Sequence, residues 1–220
     1  MQPKWVPLAL LIGLAASAQD PLKVSSQNYS VEVENKWVRA LRLKAAPHEK
    51  IPPHAQPPSV IVYLTDAHER LSTANGQARE IAHKAGDVAY FEETKQAEEN
   101  LSAEPLEAVV VELKPERIHA APVSLDPVKL DPEHHLVPVE NDRVRVLRTI
   151  LEPHLKAPMH EHPAYVVVYL TVLHTTMTLG DGRVVDNPRR PGEVAWRDPL
   201  KHATENIGDR QAVEIQIELK

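Results

Sequence analysis

Val31-Glu32-Val33-Glu34-Asn35 recurs downstream as Val137-Pro138-Val139-Glu140-Asn141, an offset of 141 − 35 = 106 residues. Held at that offset without a gap, the chain repeats itself. Arg39, Leu41 and Arg42 meet Arg145, Leu147 and Arg148, and His54 meets His160. Val62-Tyr63-Leu64-Thr65 meets Val168-Tyr169-Leu170-Thr171, and Gly76 and Gly86 meet Gly182 and Gly192. Asn100 meets Asn206, and Glu112-Leu113-Lys114 meets Glu218-Leu219-Lys220. Identity at roughly a third of the paired positions marks a tandem duplication. The chain therefore divides into copies at 29–114 and 135–220, joined by a Pro-rich, charged linker at 115–134.

Each copy reads as β. Val144, Val146 and their flanking arginines alternate as a half-buried strand does. Tyr165 to Leu173 is nearly all apolar or β-branched, which predicts a strand in the middle of a sandwich. Asn75-Gly76 and Asp181-Gly182 are hairpin turn signals. Ala85-Gly86 and Pro191-Gly192 mark a second turn, and Gln211 to Leu219 alternates and closes the second copy. Many short strands with turns between them predict an all-β protein of two sandwiches or barrels.

Hydrophobic content of 42% and charged content of 25% are those of a globular chain. A net charge of −6 argues against a nucleic-acid surface. The start reads as an export signal: Lys4 is the positive end, Trp5 to Ala15 the short apolar stretch, and Ala16-Ser17-Ala18 the cleavage site. Residues 1–18 are thus expected to be removed, leaving a secreted or periplasmic protein with no membrane span. Cysteine is absent, which excludes disulfides, thiol nucleophiles and thiolate ligands.

Two residues apart on a predicted strand, His160 and His162 share one face. His202, after the Gly192 turn, is placed to join them from an adjacent antiparallel strand. Three neutral imidazoles suit Fe, Zn, Ni, Cu or Mn rather than Mg or Ca. The first copy has His54 at the position of His160, but Gln56 and Gln96 at those of His162 and His202. A lone His does not hold a metal, so no site is expected there.

These motifs resemble the cupin superfamily, and the two copies together resemble a bicupin. The first cupin motif is matched by Pro153-His154-Leu155-Lys156-Ala157-Pro158-Met159-His160-Glu161-His162. The second is matched by Gly192-Glu193, Pro199, His202 and Asn206. The resemblance implies two tandem jelly-roll-like barrels, with His160, His162 and His202 as metal ligands in the second. The family's Glu ligand falls at 166 or 167, and both are Val. The site therefore resembles the three-His variants. An ion without a carboxylate ligand keeps its double charge and favours an anionic or oxygenated ligand.

Three further residues are candidate ligand contacts. Arg148 shares strand parity with Val144 and would point into the barrel if Val144 does, where a guanidinium can clamp a carboxylate. Trp196 is placed to line a pocket, and Tyr165 to face the His pair. Asn100 and Asn206, present in both copies, are expected to bond backbone near a turn. His134 and His135 read as solvated linker residues.

The leading expectation is an exported bicupin whose C-terminal copy binds a divalent metal and a small oxygenated or anionic molecule. If catalytic, the resemblance implies a dioxygenase- or isomerase-type reaction. Whether it is an enzyme stays open, and no catalytic residue beyond the metal ligands is named. The rival reading is a metal-free binding or assembly module. Cupin sheets pair edge to edge, so a homodimer also stays open.

Overall fold

The computed structural model describes residues 19–220. The expected signal, residues 1–18, lies outside the described residues. The first copy begins with a one-turn helix α1 (Pro21–Val24). Its strands are β1 (Tyr29–Glu34), β2 (Val38–Ala45), β3 (Lys50–Gln56), β4 (Ser59–Tyr63), β5 (Ala67–Thr73), β6 (Ala78–His83), β7 (Val88–Phe91), β8 (Thr94–Asn100) and β9 (Leu106–Leu113). The second begins with α2 (Pro127–Leu130). Its strands are β10 (His135–Glu140), β11 (Val144–Leu151), β12 (His160–His162), β13 (Tyr165–Tyr169), β14 (Leu173–Leu179), β15 (Val184–Arg189), β16 (Val194–Arg197), β17 (Leu200–Asn206) and β18 (Ala212–Leu219).

Each copy is a five-stranded antiparallel sheet facing a four-stranded one. The orders are β1-β2-β9-β4-β7 with β3-β8-β5-β6, and β10-β11-β18-β13-β16 with β12-β17-β14-β15. Among the described residues no helix is long and apolar enough to cross a membrane.

The motif that opens the repeat makes a turn. Asn35 Oδ1 accepts from the Trp37 and Val38 amides, and Asn141 Oδ1 from those of Arg143 and Val144. An Asx turn of this kind joins β1 to β2 and β10 to β11. Asn100 and Asn206 act as the repeat implied. Asn206 Nδ2 donates to the carbonyls of Leu151, Glu152 and Arg210, and Asn100 Nδ2 to those of Ala45, Ala46 and Glu104.

The repeat starts earlier than its identities suggest. Asp20-Pro21 and Asp126-Pro127 each cap and start a one-turn helix, with the Asp side chain accepting from the Leu22 or Val128 amide. The same aspartates pair with Arg39 and Arg145. The later part of the linker is thus a fixed lid on the second copy.

The largest apolar cluster belongs to both copies at once. Val38, Ala40, Val60, Val62, Val109 and Val111 pack against Val144, Val146, Val166, Val168, Ile215 and Ile217. The two five-stranded sheets therefore lie back to back and are buried on both faces. Their inner faces see the four-stranded sheets through separate clusters. The run from Tyr165 to Leu173 is not one strand: β13 ends at Tyr169 and β14 starts at Leu173.

This arrangement corrects the expectation for Arg148. Val144 faces the other copy, not its own interior, and Arg148 follows it. Arg148 Nη1 donates to the Gly86 carbonyl at 2.9 Å. Arg42 donates across the seam to the Gly192 carbonyl. Both glycines have positive φ, +90° and +81°, and a Cβ would stand 3.3 Å from the opposing guanidinium. Glycine is needed there for backbone and for room.

Candidate metal centre

Strand pairing assembles the histidines. His160 sits directly across from His202 in the β12–β17 ladder, and His162 lies one pleat on, across from Leu200. Ring centroids are 4.5 Å apart for His160 and His202, 4.8 Å for His160 and His162, and 5.4 Å for His162 and His202. One ring nitrogen from each lies within 4.8 Å of the others, and all three residues are buried. Nitrogens about 2.1 Å from one tetrahedral ion stand about 3.4 Å apart, so the rings must close by somewhat more than an ångström at the widest pair to share it.

The hydrogen bonds set two of the tautomers. His160 Nδ1 lies 2.7 Å from the Pro158 carbonyl, which can only accept, so Nδ1 carries the proton. His162 Nδ1 donates to Glu218 Oε1 at 2.7 Å, and in both rings Nε2 is the free lone pair. His202 Nδ1 lies 3.1 Å from Thr204 Oγ1, a hydroxyl that pairs with either tautomer. His162 Nε2 and His202 Nε2 are fully buried with no partner. An unmade hydrogen bond on a buried polar atom costs about 1–3 kcal/mol. Two such atoms aimed at one point are the signature of a group that completes them, and the donor set fits a divalent transition metal.

Burial and the neighbouring imidazoles hold His160 and His202 neutral. His160 is pushed down to about 3 and His202 to about 2, by desolvation first and then by the charge of the other histidines. The lone pairs are therefore available at any pH near neutrality.

Two residues of this site escape a reading of the sequence. His135 is not solvated. It is 2% exposed, its ring centroid lies 5.2 Å from that of His160, and its Nδ1 bonds the Asp131 carbonyl. Its repeat position holds the signal, because the matching Tyr29 is buried against His54 at 5.5 Å. Glu218 is 1% exposed and receives Arg145 Nε at 2.6 Å besides His162. It supplies a carboxylate behind a ligand rather than on the ion.

The other expected contacts divide. Tyr165 does approach the cluster, its ring centroid 5.1 Å from that of His162. Trp196 does not line this site. It packs against the inter-copy core and stacks on Trp37 at 5.5 Å, because its side of β16 faces the other copy. Arg148 is likewise at the seam. Glu161 turns away from the histidines and tethers the linker, accepting from the Ser124 amide and hydroxyl. Val166 lies in the inter-copy core and Val167 in the interior, so no carboxylate stands where the family's Glu falls.

In the first copy the same positions satisfy one another. Gln96 Nε2 donates to Gln56 Oε1 at 3.0 Å, and Gln56 Nε2 to Ser59 Oγ at 2.9 Å. Tyr29 Oη donates to Glu98 at 3.0 Å and sits 3.3 Å from His54 Nε2.

No family model and no curated protein matches this chain. Solved structures do. AerE from Microcystis aeruginosa aligns over 87% of this chain and 91% of its own, with TM-score 0.65 and 12% identity. Two tandem antiparallel copies, each of two facing sheets, decide the fold. The fold is that of the bicupins. Oxalate decarboxylases share it. The Lactobacillus farciminis protein, solved as a formate complex, has TM-score 0.58 and 10% identity over 87% of this chain and 84% of its own. The Bacillus subtilis protein, described for its Mn(II) centres, has TM-score 0.54 and 13% identity over 87% and 75%.

Proposed function

We propose that this bicupin is an exported protein whose C-terminal copy binds one divalent transition metal through Nε2 of His160, His162 and His202. It holds a small oxygenated or anionic molecule at the open positions. The observation that carries this reading is the pair of buried, partnerless Nε2 atoms beside a third imidazole. When bound, such an ion supplies Lewis acidity and an attachment point for oxygen ligands. The Mn(II) centres and the formate ligand of the oxalate decarboxylases belong to the same chemical class.

The chain's own groups orient this site. Pro158 O, Glu218 and Thr204 fix the three rings through Nδ1. Glu218, held by Arg145, accepts from His162 Nδ1 and fixes the ring's orientation. His135 walls the far side of His160. The N-terminal copy is structural: its Gln pair closes on itself and leaves no lone-pair cluster. Export is supported by the charged start, the apolar stretch and the Ala16-Ser17-Ala18 site.

Metal analysis of tag-free protein tests the centre. About one equivalent of Mn, Fe, Zn, Ni or Cu is expected, lost in the His160→Ala, His162→Ala double variant. Metal-free protein whose melting temperature is unmoved by each ion in turn would return the metal-free binding module instead. N-terminal sequencing of exported protein is expected to start at Gln19.

A further inference from the structure

The interiors of the two copies differ in polarity. The first is filled with apolar side chains, among them Leu43, Ile81, Phe91, Ala108 and Val110. At the same repeat positions the second copy has Thr149, Asn187, Arg197, Glu214 and Gln216. The cluster left for apolar packing shrinks to Leu151, Ala157, Tyr165, Val167, Tyr169, Leu173 and Ala212. Polar groups cost free energy when buried, so a structural copy has no reason to keep five of them.

One of the five, Arg197, is a cation, and Arg189 near it is a second. Arg197 ends β16 on the interior side. Its Nη2 donates to Tyr169 Oη at 3.2 Å and to Asn187 Oδ1 at 3.5 Å, both neutral acceptors. Arg189 lies on the other side of Tyr169, its guanidinium carbon 5.5 Å from the ring centroid, and its Nε is buried without a partner. Among the described residues neither arginine makes an ion pair. By contrast, Arg39, Arg42 and Arg145 are each paired with two carboxylates. The acids of this interior do not supply the missing anion. Glu218 is committed to Arg145 and His162. Glu214 is near enough for its charge to act on Arg197 and Arg189, yet none of its oxygens lies within ion-pair distance of either; it accepts from Gln216 Nε2 at 2.8 Å, and burial pushes its carboxyl up to about 7 in spite of both cations.

We infer that the small molecule held by the C-terminal copy carries a carboxylate, which Arg197 receives on the side away from the three histidines. Arg189 adds a second positive charge beside Tyr169. The inference rests on the C-terminal copy being the binding copy. It names the chemistry of the ligand: an acid, not an alcohol, sugar or amide. A planar guanidinium with free donors matches a carboxylate in charge and shape. A metal ion without a carboxylate ligand adds to the same preference.

The test compares acids with their amides on the whole mature protein loaded with Co(II), whose absorption bands report the metal separately. Acetate, malonate and succinate are titrated beside acetamide, malonamide and succinamide. We expect at least one acid to bind, its amide to bind at least tenfold more weakly, and Arg197→Gln to weaken the acid tenfold or more with the Co(II) bands intact. Acids and amides binding alike, no acid binding, or Arg197→Gln leaving the acid affinity unchanged overturns the inference while the metal centre stands. If no metal binds, the metal reading fails. The same titrations on metal-free protein then decide this one: a preference for acid over amide sustains it, and none overturns it. Should Arg197→Gln not fold, Arg189→Gln and the wild-type preference decide between the same outcomes.

Discussion

One scaffold has been filled in two ways. In the N-terminal copy His54, Tyr29, Glu98 and the Gln56–Gln96 pair bond one another, and Leu43, Phe91 and Val110 fill the rest. In the C-terminal copy the corresponding histidines leave lone pairs open, and Thr149, Arg197 and Gln216 stand where the N-terminal copy has apolar residues. Turns, caps and outer faces are the same in both. Stability is therefore carried by what the copies share, and ligand chemistry by what they do not.

The contrast can be broken at several points. The largest effect is expected from the shared core. Ile217 is fully buried between the copies, and Ile217→Ala should cost about 2–5 kcal/mol. Chemical denaturation is expected to show one transition, shifted as a whole. Two separated transitions would mean that the copies are independent.

The next effect follows pH. Glu69, which replaces Thr175 in the N-terminal interior, is raised to about 8 by burial and by Glu98 beside it. Its pKa in the folded chain lies above the unfolded value. Its contribution to stability is thus fully present below about pH 4.5 and is lost as pH rises through about 8. Between pH 6 and 9 the wild-type stability should fall by up to a few kcal/mol more than that of Glu69→Gln. Parallel profiles would refute the assignment.

A smaller effect separates the carboxylate behind His162 from the ligands themselves. Glu218→Gln should weaken metal binding about 10- to 100-fold without abolishing it, measured by competition with a chelator. Complete loss would mean that Glu218 itself binds the ion.

The smallest tests whether the first copy lacks only its ligands. Gln56→His with Gln96→His places two imidazoles beside His54. Weak metal uptake is expected, well below that of the C-terminal copy, because Tyr29 and Glu98 already hold His54. Uptake equal to the natural site would show that those partners are no obstacle.

Much of this is legible in the sequence. The repeat marks out the two copies, the Gly and Asx turns, and the three histidines, because spacing and identity at one offset carry that information. The facing of the five-stranded sheets is not legible. Alternation tells inside from outside only when one face meets water, and these sheets are buried on both. Hence strand parity puts Arg148 in the interior, although it sits at the seam as Trp196 does, and nothing hints at Arg197 one position beyond that Trp. His135 is hidden for another reason: it lies where linker composition ends, and only its match to buried Tyr29 distinguishes it.

The reciprocal bonds from Arg42 to Gly192 and from Arg148 to Gly86 have a mechanical consequence. Each copy is bolted to the loop that leads into its neighbour's β7 or β16, and β16 carries Arg197. A hinge between the halves would have to tear both bolts and expose the valine layer to water. The valine layer and the two bolts make the copies one body, and the N-terminal copy is the anvil on which the strand carrying Arg197 is set.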